Sequence, residues 1–224
     1  MTNFAYIIKR FIYLFYGEKF FKKHKFNWSD TPLRHEILNK IISKKHYKNY
    51  LEIGCFKNEN FDQIIIDKKI GVDPVSGGTL RMTSDEFFIK NNDTFDIIFI
   101  DGLHVYKQVI KDINNSLNIL NKDGIILVHD CLPSKLWYQL PTRMSATWNG
   151  DVWKAIVECR HKNNIDTYTC FADHGIGVIK KDINKNPINN KIFDFENLKY
   201  RDYYHNYKEY MNVITYEELL NKII

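Results

Sequence analysis

Apolar residues recur along this chain with two periods, and the changes between them mark out the elements. Phe4, Ile7, Ile8, Phe11 and Phe15 fall at helical spacing and predict a first helix with one apolar face, with a basic segment from Lys19 to Lys25 behind it. Thr31 and Pro32 read as an N-cap and first helical position, after which Leu33, Ile37, Leu38, Ile41 and Ile42 predict a second amphipathic helix. It closes among Lys44, Lys45 and His46, cations suited to the negative end of a helix.

From there the pattern becomes strand, turn, helix, strand. Tyr50-Leu51-Glu52-Ile53-Gly54 is a short apolar strand ending in glycine, Phe61 to Ile66 a brief helix, and Lys69-Ile70-Gly71-Val72-Asp73 a second strand ending in a carboxylate. The run from Phe95 to Asp101 is almost continuously apolar, as befits a parallel strand covered on both faces, and is expected at the centre of the sheet. A helical stripe from Tyr106 to Leu120 stops at Lys122-Asp123-Gly124, and Ile125 to Val128 starts another buried strand. Asp151 to His161 reads as a helix. Asp166 to Phe171 and Gly175 to Ile179 are separated only by a turn at Asp173-His174, so they are expected to pair antiparallel. The tail has a loop around Pro187 and a closing helix from Tyr216 to Ile223.

This alternation predicts an α/β fold, a doubly wound and mostly parallel sheet with a C-terminal antiparallel hairpin. The 224 residues divide into an N-terminal amphipathic basic helix (1–28), a ligand-binding domain (29–181) and a C-terminal extension packed on it (182–224).

Composition adds location and partners. Cys55, Cys131, Cys159 and Cys170 are widely spaced and form no CxxC pair, which points to reduced, buried thiols and a cytoplasmic protein. The apolar N-terminal run is broken by Lys9 and Arg10 and is too short to span a bilayer. Its apolar face fits packing on its own domain or a homodimer contact, ranked ahead of peripheral attachment to an anionic membrane. The net charge of +5 is concentrated at that end and requires no nucleic-acid partner.

In an open parallel sheet, ligands bind beyond the carboxyl ends of the strands, so the residues there carry the candidate chemistry. Gly54 lets the backbone turn tightly towards a ligand. Asp73 ends the second strand at the spacing from Glu52 where a carboxylate can accept ribose hydroxyls. Together LEIGC, GVDP, SDEFF, FDIIFIDGLHVY and GIILVHDC resemble the class I S-adenosylmethionine (SAM)-dependent methyltransferases, over roughly residues 30 to 180.

The resemblance implies that Glu52 and Gly54 hold the methionine part of SAM, Asp73 the ribose, and Ser84-Asp85 the adenine, with Asp101 also on the cofactor side. Asn58 stands where the family loop has a second glycine, and asparagine is the next best residue for a left-handed backbone. Asp101, His104, His129 and Asp130 gather at neighbouring strand ends and are similar to the metal-dependent O-methyltransferases of the macrocin and catechol types. This implies a magnesium ion on Asp101 and Asp130, or alternatively His104 or His129 as general base beside Asp101.

His174 is expected to be structural or exposed. Arg143, Trp148, Asn149 and Asp151 lie in a long segment expected over the acceptor site, with Trp153 packing against a helix. The tail tyrosines Tyr200, Tyr203, Tyr204, Tyr207 and Tyr210 either stack on an acceptor or pack. The function implied is methyl transfer from SAM to an oxygen of a small-molecule or glycan-like acceptor. The rivals are a non-catalytic SAM-binding or scaffold protein and, less favoured because GxGxxG is missing, an NAD-type oxidoreductase.

Overall fold

The computed structural model describes residues 26–188 and 194–223, together with residues 7, 8, 11, 24 and 192. The chain runs α1 (Arg34–Lys45), β1 (Asn49–Ile53), a 3-10 turn (Phe61–Gln63), β2 (Lys68–Val72), α2 (Ser84–Lys90), β3 (Phe95–Ile100), α3 (Tyr106–Ile119) and β4 (Leu120–Val128). It continues with α4 (Val152–Cys159), β5 (Asp166–Cys170), β6 (Ile176–Lys180), α5 (Tyr200–Tyr210), β7 (Val213–Ile214) and α6 (Tyr216–Ile223).

The strands form one sheet in the order β2-β1-β3-β4-β6-β5-β7. β1 pairs parallel with β2 and β3, and β3 parallel with β4. Only β6 runs against its neighbours β4 and β5, while the short β7 adds parallel to β5. The doubly wound parallel sheet with its terminal hairpin is therefore present. β3 is interior, but β4 holds the middle place.

Alternate residues of the buried strands feed two cores. Ile98 and Ile100 face a layer containing α3, α4 and α5, and Ile97 and Phe99 face a layer containing α1 and α6. Truncating one of these fully buried residues to alanine removes about 2–5 kcal/mol.

Several boundaries differ from the expectation. α1 begins at Arg34, not Pro32: the Leu33 amide donates to the Glu36 carboxylate (2.8 Å), while Thr31 Oγ1 donates instead to the Trp28 carbonyl. The helix expected over Phe61 to Ile66 shrinks to one 3-10 turn because Ile64 is already extended. α3 passes directly into β4 at Leu120, which pairs with Phe95 before the ladder shifts register. α4 is shorter at both ends than Asp151 to His161.

The tail also carries a helix, α5, that its mixed composition did not announce. All five of its tyrosines are buried, so they are packing residues. The extension is more than a layer packed on the domain, since β7 lengthens the sheet. Of the predicted N-terminal helix, Ile7, Ile8 and Phe11 are helical and exposed, and the rest lies outside the described residues. Among the described residues, no helix is long and apolar enough to cross a membrane.

Candidate functional site

A cavity of about 890 Å³ opens beyond the carboxyl ends of β1 to β4. Backbone geometry shapes its floor. Gly54 has φ +90°, and a Cβ there would stand 2.3 Å from the Asp101 carbonyl oxygen, so only glycine lets the ends of β1 and β3 approach this closely. Asn58 takes φ +63° and its Oδ1 accepts from the Gly78 amide (2.6 Å). It thus fills the left-handed position and also ties the loop after β1 to the loop after β2.

Asp73 ties the same two loops. One carboxylate oxygen accepts from the Val75 and Ser76 amides (2.7 and 2.9 Å), and the other from the Phe56 amide (2.9 Å). Burial opposes its charge, but the Ser76, Phe56 and Val75 amides and Arg81 hold the carboxyl below its usual range. One lone pair on Oδ2 is left for a ligand.

The expected methionine ligand Glu52 does not line the cavity. It is 1% exposed and accepts from the Tyr50 hydroxyl and from Asn60 Nδ2 (2.8 Å). Burial pushes its carboxyl up to about 7, against the pull of these two hydrogen bonds. The alternation of β1 turns Glu52 away from the cavity.

Ser84 and Asp85 line the cavity from the first turn of α2, whose start is fixed by reciprocal hydrogen bonds between Thr83 and Glu86. α3 adds Gln108 and Asp112, which sequence reasoning missed. Gln108 Nε2 donates to Ser84, Asp85 and Asp112 (3.2, 3.1 and 3.0 Å). Burial raises the Asp112 carboxyl to about 6. Neither belongs to the apolar stripe that predicts α3, though an amide and a carboxylate one turn apart near the start of that helix were a usable signal.

At the opposite end stand Asp101, His104, His129 and Asp130, brought together as expected. Asp101 Oδ1 accepts from His104 Nε2 (3.2 Å) and His129 Nδ1 (3.1 Å). His104 Nδ1 meets the Trp148 carbonyl (2.9 Å) and Asp130 Oδ2 (3.3 Å). His129 Nε2 faces Asp173 Oδ1 (3.6 Å). Both ring nitrogens of His104 and Nδ1 of His129 thus lie within hydrogen-bond reach of acceptors, whereas the buried His129 Nε2 has no hydrogen-bond partner among the described residues.

Burial disfavours the cations, but the neighbouring carboxylates raise His104 and carry His129 well above the ordinary range, and the two cations hold Asp101 low against its own burial. Burial, helped by the charge of Asp101, pushes Asp130 upward. Arg34 completes the network: its amide and Nη1 donate to Asp173 Oδ2 (2.8 and 3.3 Å), and its Nε lies 3.8 Å from Asp101 Oδ2. Three carboxyl groups, Asp101, Asp130 and Asp173, thus surround two histidines and an arginine. Arg34 and Asp173 are 139 positions apart, a pairing no local pattern announces.

The segment between β4 and α4 covers this end. Trp148 stacks on His104 (centroids 4.9 Å apart), and Asn149 Nδ2 donates to Asp130 Oδ1 (2.8 Å). Arg143 bonds to the carbonyls of Ser145 and Ala146 (3.2 and 2.9 Å), holding the segment's own turn. Asp151 Oδ1 accepts from the Tyr106 amide (2.6 Å). Trp153 is fully buried and belongs to the core.

Ligand atoms of Asp101, His104 and Asp130 lie within 4.8 Å of one another. The set fits a divalent cation once His104 surrenders a ring proton, and its imidazole widens the choice from magnesium towards softer ions.

Residues 66–131, from the start of β2 to just past β4, match a family model described as a methyltransferase domain. An uncharacterized protein of Acanthamoeba polyphaga mimivirus is 28% identical over 144 residues, which cover 50% of this chain and 65% of that protein, so the match spans just under two thirds of that relative. Two solved structures share the fold with a TM-score of 0.52. One, a Klebsiella pneumoniae protein given as a candidate O-methyltransferase, is 12% identical and covers 69% of this chain and 83% of its own. The other, cofactor-bound Rv0187 from MTB, is 10% identical over 69% and 85%. Residues 66–131 thus match a methyltransferase-domain model, and the chain shares the Rossmann-like fold of these solved structures.

Proposed function

We propose that this protein transfers a methyl group from SAM to an oxygen of a small-molecule or glycan-like acceptor in the cytoplasm. The observation that carries this reading is the continuity of one cavity from the Gly54, Asp73, Ser84 and Asp85 end to the Asp101, His104, His129 and Asp130 end. A nucleoside fits the first, and a hydroxyl-bearing acceptor meets the second. Gly54 gives the methionine part its close backbone approach, Asp73 spends its remaining lone pair on the ribose, and Ser84, Asp85, Gln108 and Asp112 surround the adenine. All four cysteines are free and buried, in keeping with a reducing compartment.

The chemistry is an in-line displacement, for which alignment is the main contribution. Asp101, His104 and His129 form a preorganised charged floor under the acceptor oxygen. The two imidazoles hold Asp101, and His104 or His129 would serve as general base for the acceptor hydroxyl. A divalent cation on Asp101, His104 and Asp130 would acidify the acceptor hydroxyl and orient it.

Calorimetry tests the reading. SAM and S-adenosylhomocysteine bind and raise the melting temperature, NAD does neither, and Asp73→Ala loses most of the SAM affinity. NAD binding in preference to SAM overturns it.

A further inference from the structure

Arg34 lines the cavity from the first turn of α1, outside every segment read as a cofactor loop. Its place is imposed by the turn between β5 and β6. Asp173 Oδ2 accepts from both the Arg34 amide and its Nη1 (2.8 and 3.3 Å), so one carboxylate fixes the backbone and the guanidinium together. That turn is itself pinned: the Leu132 amide donates to the His174 carbonyl (2.8 Å) and the Cys131 amide to the Gly175 carbonyl (3.0 Å). A long side chain already held in one geometry loses little further freedom when a ligand docks on it.

Two polar groups of this corner are left unused. The Arg34 side chain is 26% exposed, and among the described residues its Nη2 makes no hydrogen bond. Asp101 Oδ1 takes His104 Nε2 and His129 Nδ1, whereas Oδ2 meets Arg34 Nε only at 3.8 Å, too far for a hydrogen bond. A cationic donor and a carboxylate oxygen thus stand side by side on the wall.

They stand beside Gly54. A Cβ there would lie 2.3 Å from the Asp101 carbonyl oxygen, so the glycine that admits the methionine part is the neighbour of this pair. An amino-acid head carries a carboxylate and an ammonium on one carbon, and each needs a partner of opposite charge to leave water. Glu52 is turned away from the cavity. Arg143, the other arginine on the wall, is engaged with the carbonyls of Ser145 and Ala146.

Resting on the methyl-transfer reading above, we propose that Arg34 binds the methionine carboxylate of SAM, with Asp101 Oδ2 facing its ammonium. The match balances charge: carboxylate meets guanidinium, and ammonium meets carboxylate. Recognition of the amino-acid head then depends on α1 and on the turn between β5 and β6, elements outside the loops that hold the nucleoside.

Calorimetry on the full chain with three ligands tests this: S-adenosylhomocysteine, its decarboxylated analogue S-adenosyl-thiopropylamine, and methylthioadenosine, which lacks the whole amino-acid head. Wild type should bind S-adenosylhomocysteine about 10- to 100-fold more tightly than the decarboxylated analogue, the range of one charge-assisted hydrogen bond. Arg34→Gln should erase that difference and keep wild-type affinity for methylthioadenosine, which reports an intact cavity. Arg34→Lys, which keeps the charge, should recover part of the difference.

A preference for the carboxylate that survives in Arg34→Gln overturns the proposal. Equal weakening of all three ligands in that variant does so too, since Arg34 would then only shape the cavity. If Arg34→Gln leaves all three affinities unchanged and raises only the KM of a carboxylate-bearing acceptor such as dihydroxybenzoate, the arginine serves the acceptor and its cofactor role falls. Wild-type binding that ignores the carboxylate overturns the proposal alone, even where the variant fails to fold. Wild type that binds none of the three ligands sinks the methyl-transfer reading and this proposal with it.

Discussion

His104 and Trp148 meet twice: their rings stack with centroids 4.9 Å apart, and His104 Nδ1 donates to the Trp148 carbonyl oxygen at 2.9 Å. The covering segment is thereby fastened to the loop after β3. The fastening depends on Gly150, whose φ is +60° and where a Cβ would fall 1.8 Å from the His104 carbonyl oxygen. Gly150→Ala must push the segment off that loop. The strain is of order 2 kcal/mol, so the melting temperature should fall by roughly 4–8 °C. Limited proteolysis between residues 132 and 151 should speed up while SAM affinity stays near wild type. Unchanged proteolysis would show that the segment is held elsewhere.

The clamp at Asp73 gives a second test. Asp73→Asn keeps the shape of the side chain but turns one acceptor into an amide that faces the Phe56 N–H, two donors opposed. SAM affinity should drop at least about tenfold, a loss of about 1.4 kcal/mol, even though a hydrogen-bonding group remains for the ribose. Calorimetry giving wild-type affinity would mean that the loops after β1 and β2 are set without this carboxylate.

Sequence pattern sufficed for six of the seven strands and for the placement of Gly54, Asp73, Asp101 and His104 along the cavity, because strand ends follow from where apolar runs stop. The left-handed backbone expected of Asn58 is also there. Glu52 failed for a physical reason: a strand alternates, and the residue two before Gly54 faces the layer containing Tyr50 and Asn60 rather than the cavity. Arg34 and Asp173 were invisible because their pairing is made by tertiary packing alone. The buried tyrosine helix was hidden too, since five hydroxyl-bearing rings among Asn, Lys and Asp read as a polar tail.

Glu52 carries a pH signature. Its folded carboxyl titrates at about 7, above its ordinary 4.5, so the folded state binds the proton more tightly than the unfolded one. Its favourable contribution is complete below about pH 4.5 and is lost as pH rises through 7, to the extent of about 3 kcal/mol. Glu52→Gln, which can still accept from Tyr50 or Asn60 and carries no charge, should therefore become more stable than wild type between pH 5 and 7. The gain should level off above pH 7 and vanish at pH 4. Urea unfolding of both proteins across that range measures it, and a difference independent of pH would mean that Glu52 is not protonated in the folded chain.

The network of Asp101, His104 and Asp130 sets protons against metal. A divalent cation can take His104 as a ligand only after the ring proton is displaced, because only a lone pair coordinates. The same carboxylates that would attract the cation raise the pKa of His104, so the competition is strongest at low pH. Manganese or magnesium added to the protein should therefore bind more tightly as pH rises, by up to about tenfold per unit while one proton is released per ion. Calorimetry in two buffers of different ionisation enthalpy counts that proton directly. Asp130→Asn should weaken binding at every pH, since it removes a carboxylate ligand and a charge that favours the ion. His104→Gln should weaken binding at high pH and flatten the dependence, since glutamine offers an oxygen with no proton to lose. Tight binding that ignores pH would place the ion on Asp101 and Asp130 alone, with His104 still protonated beside it.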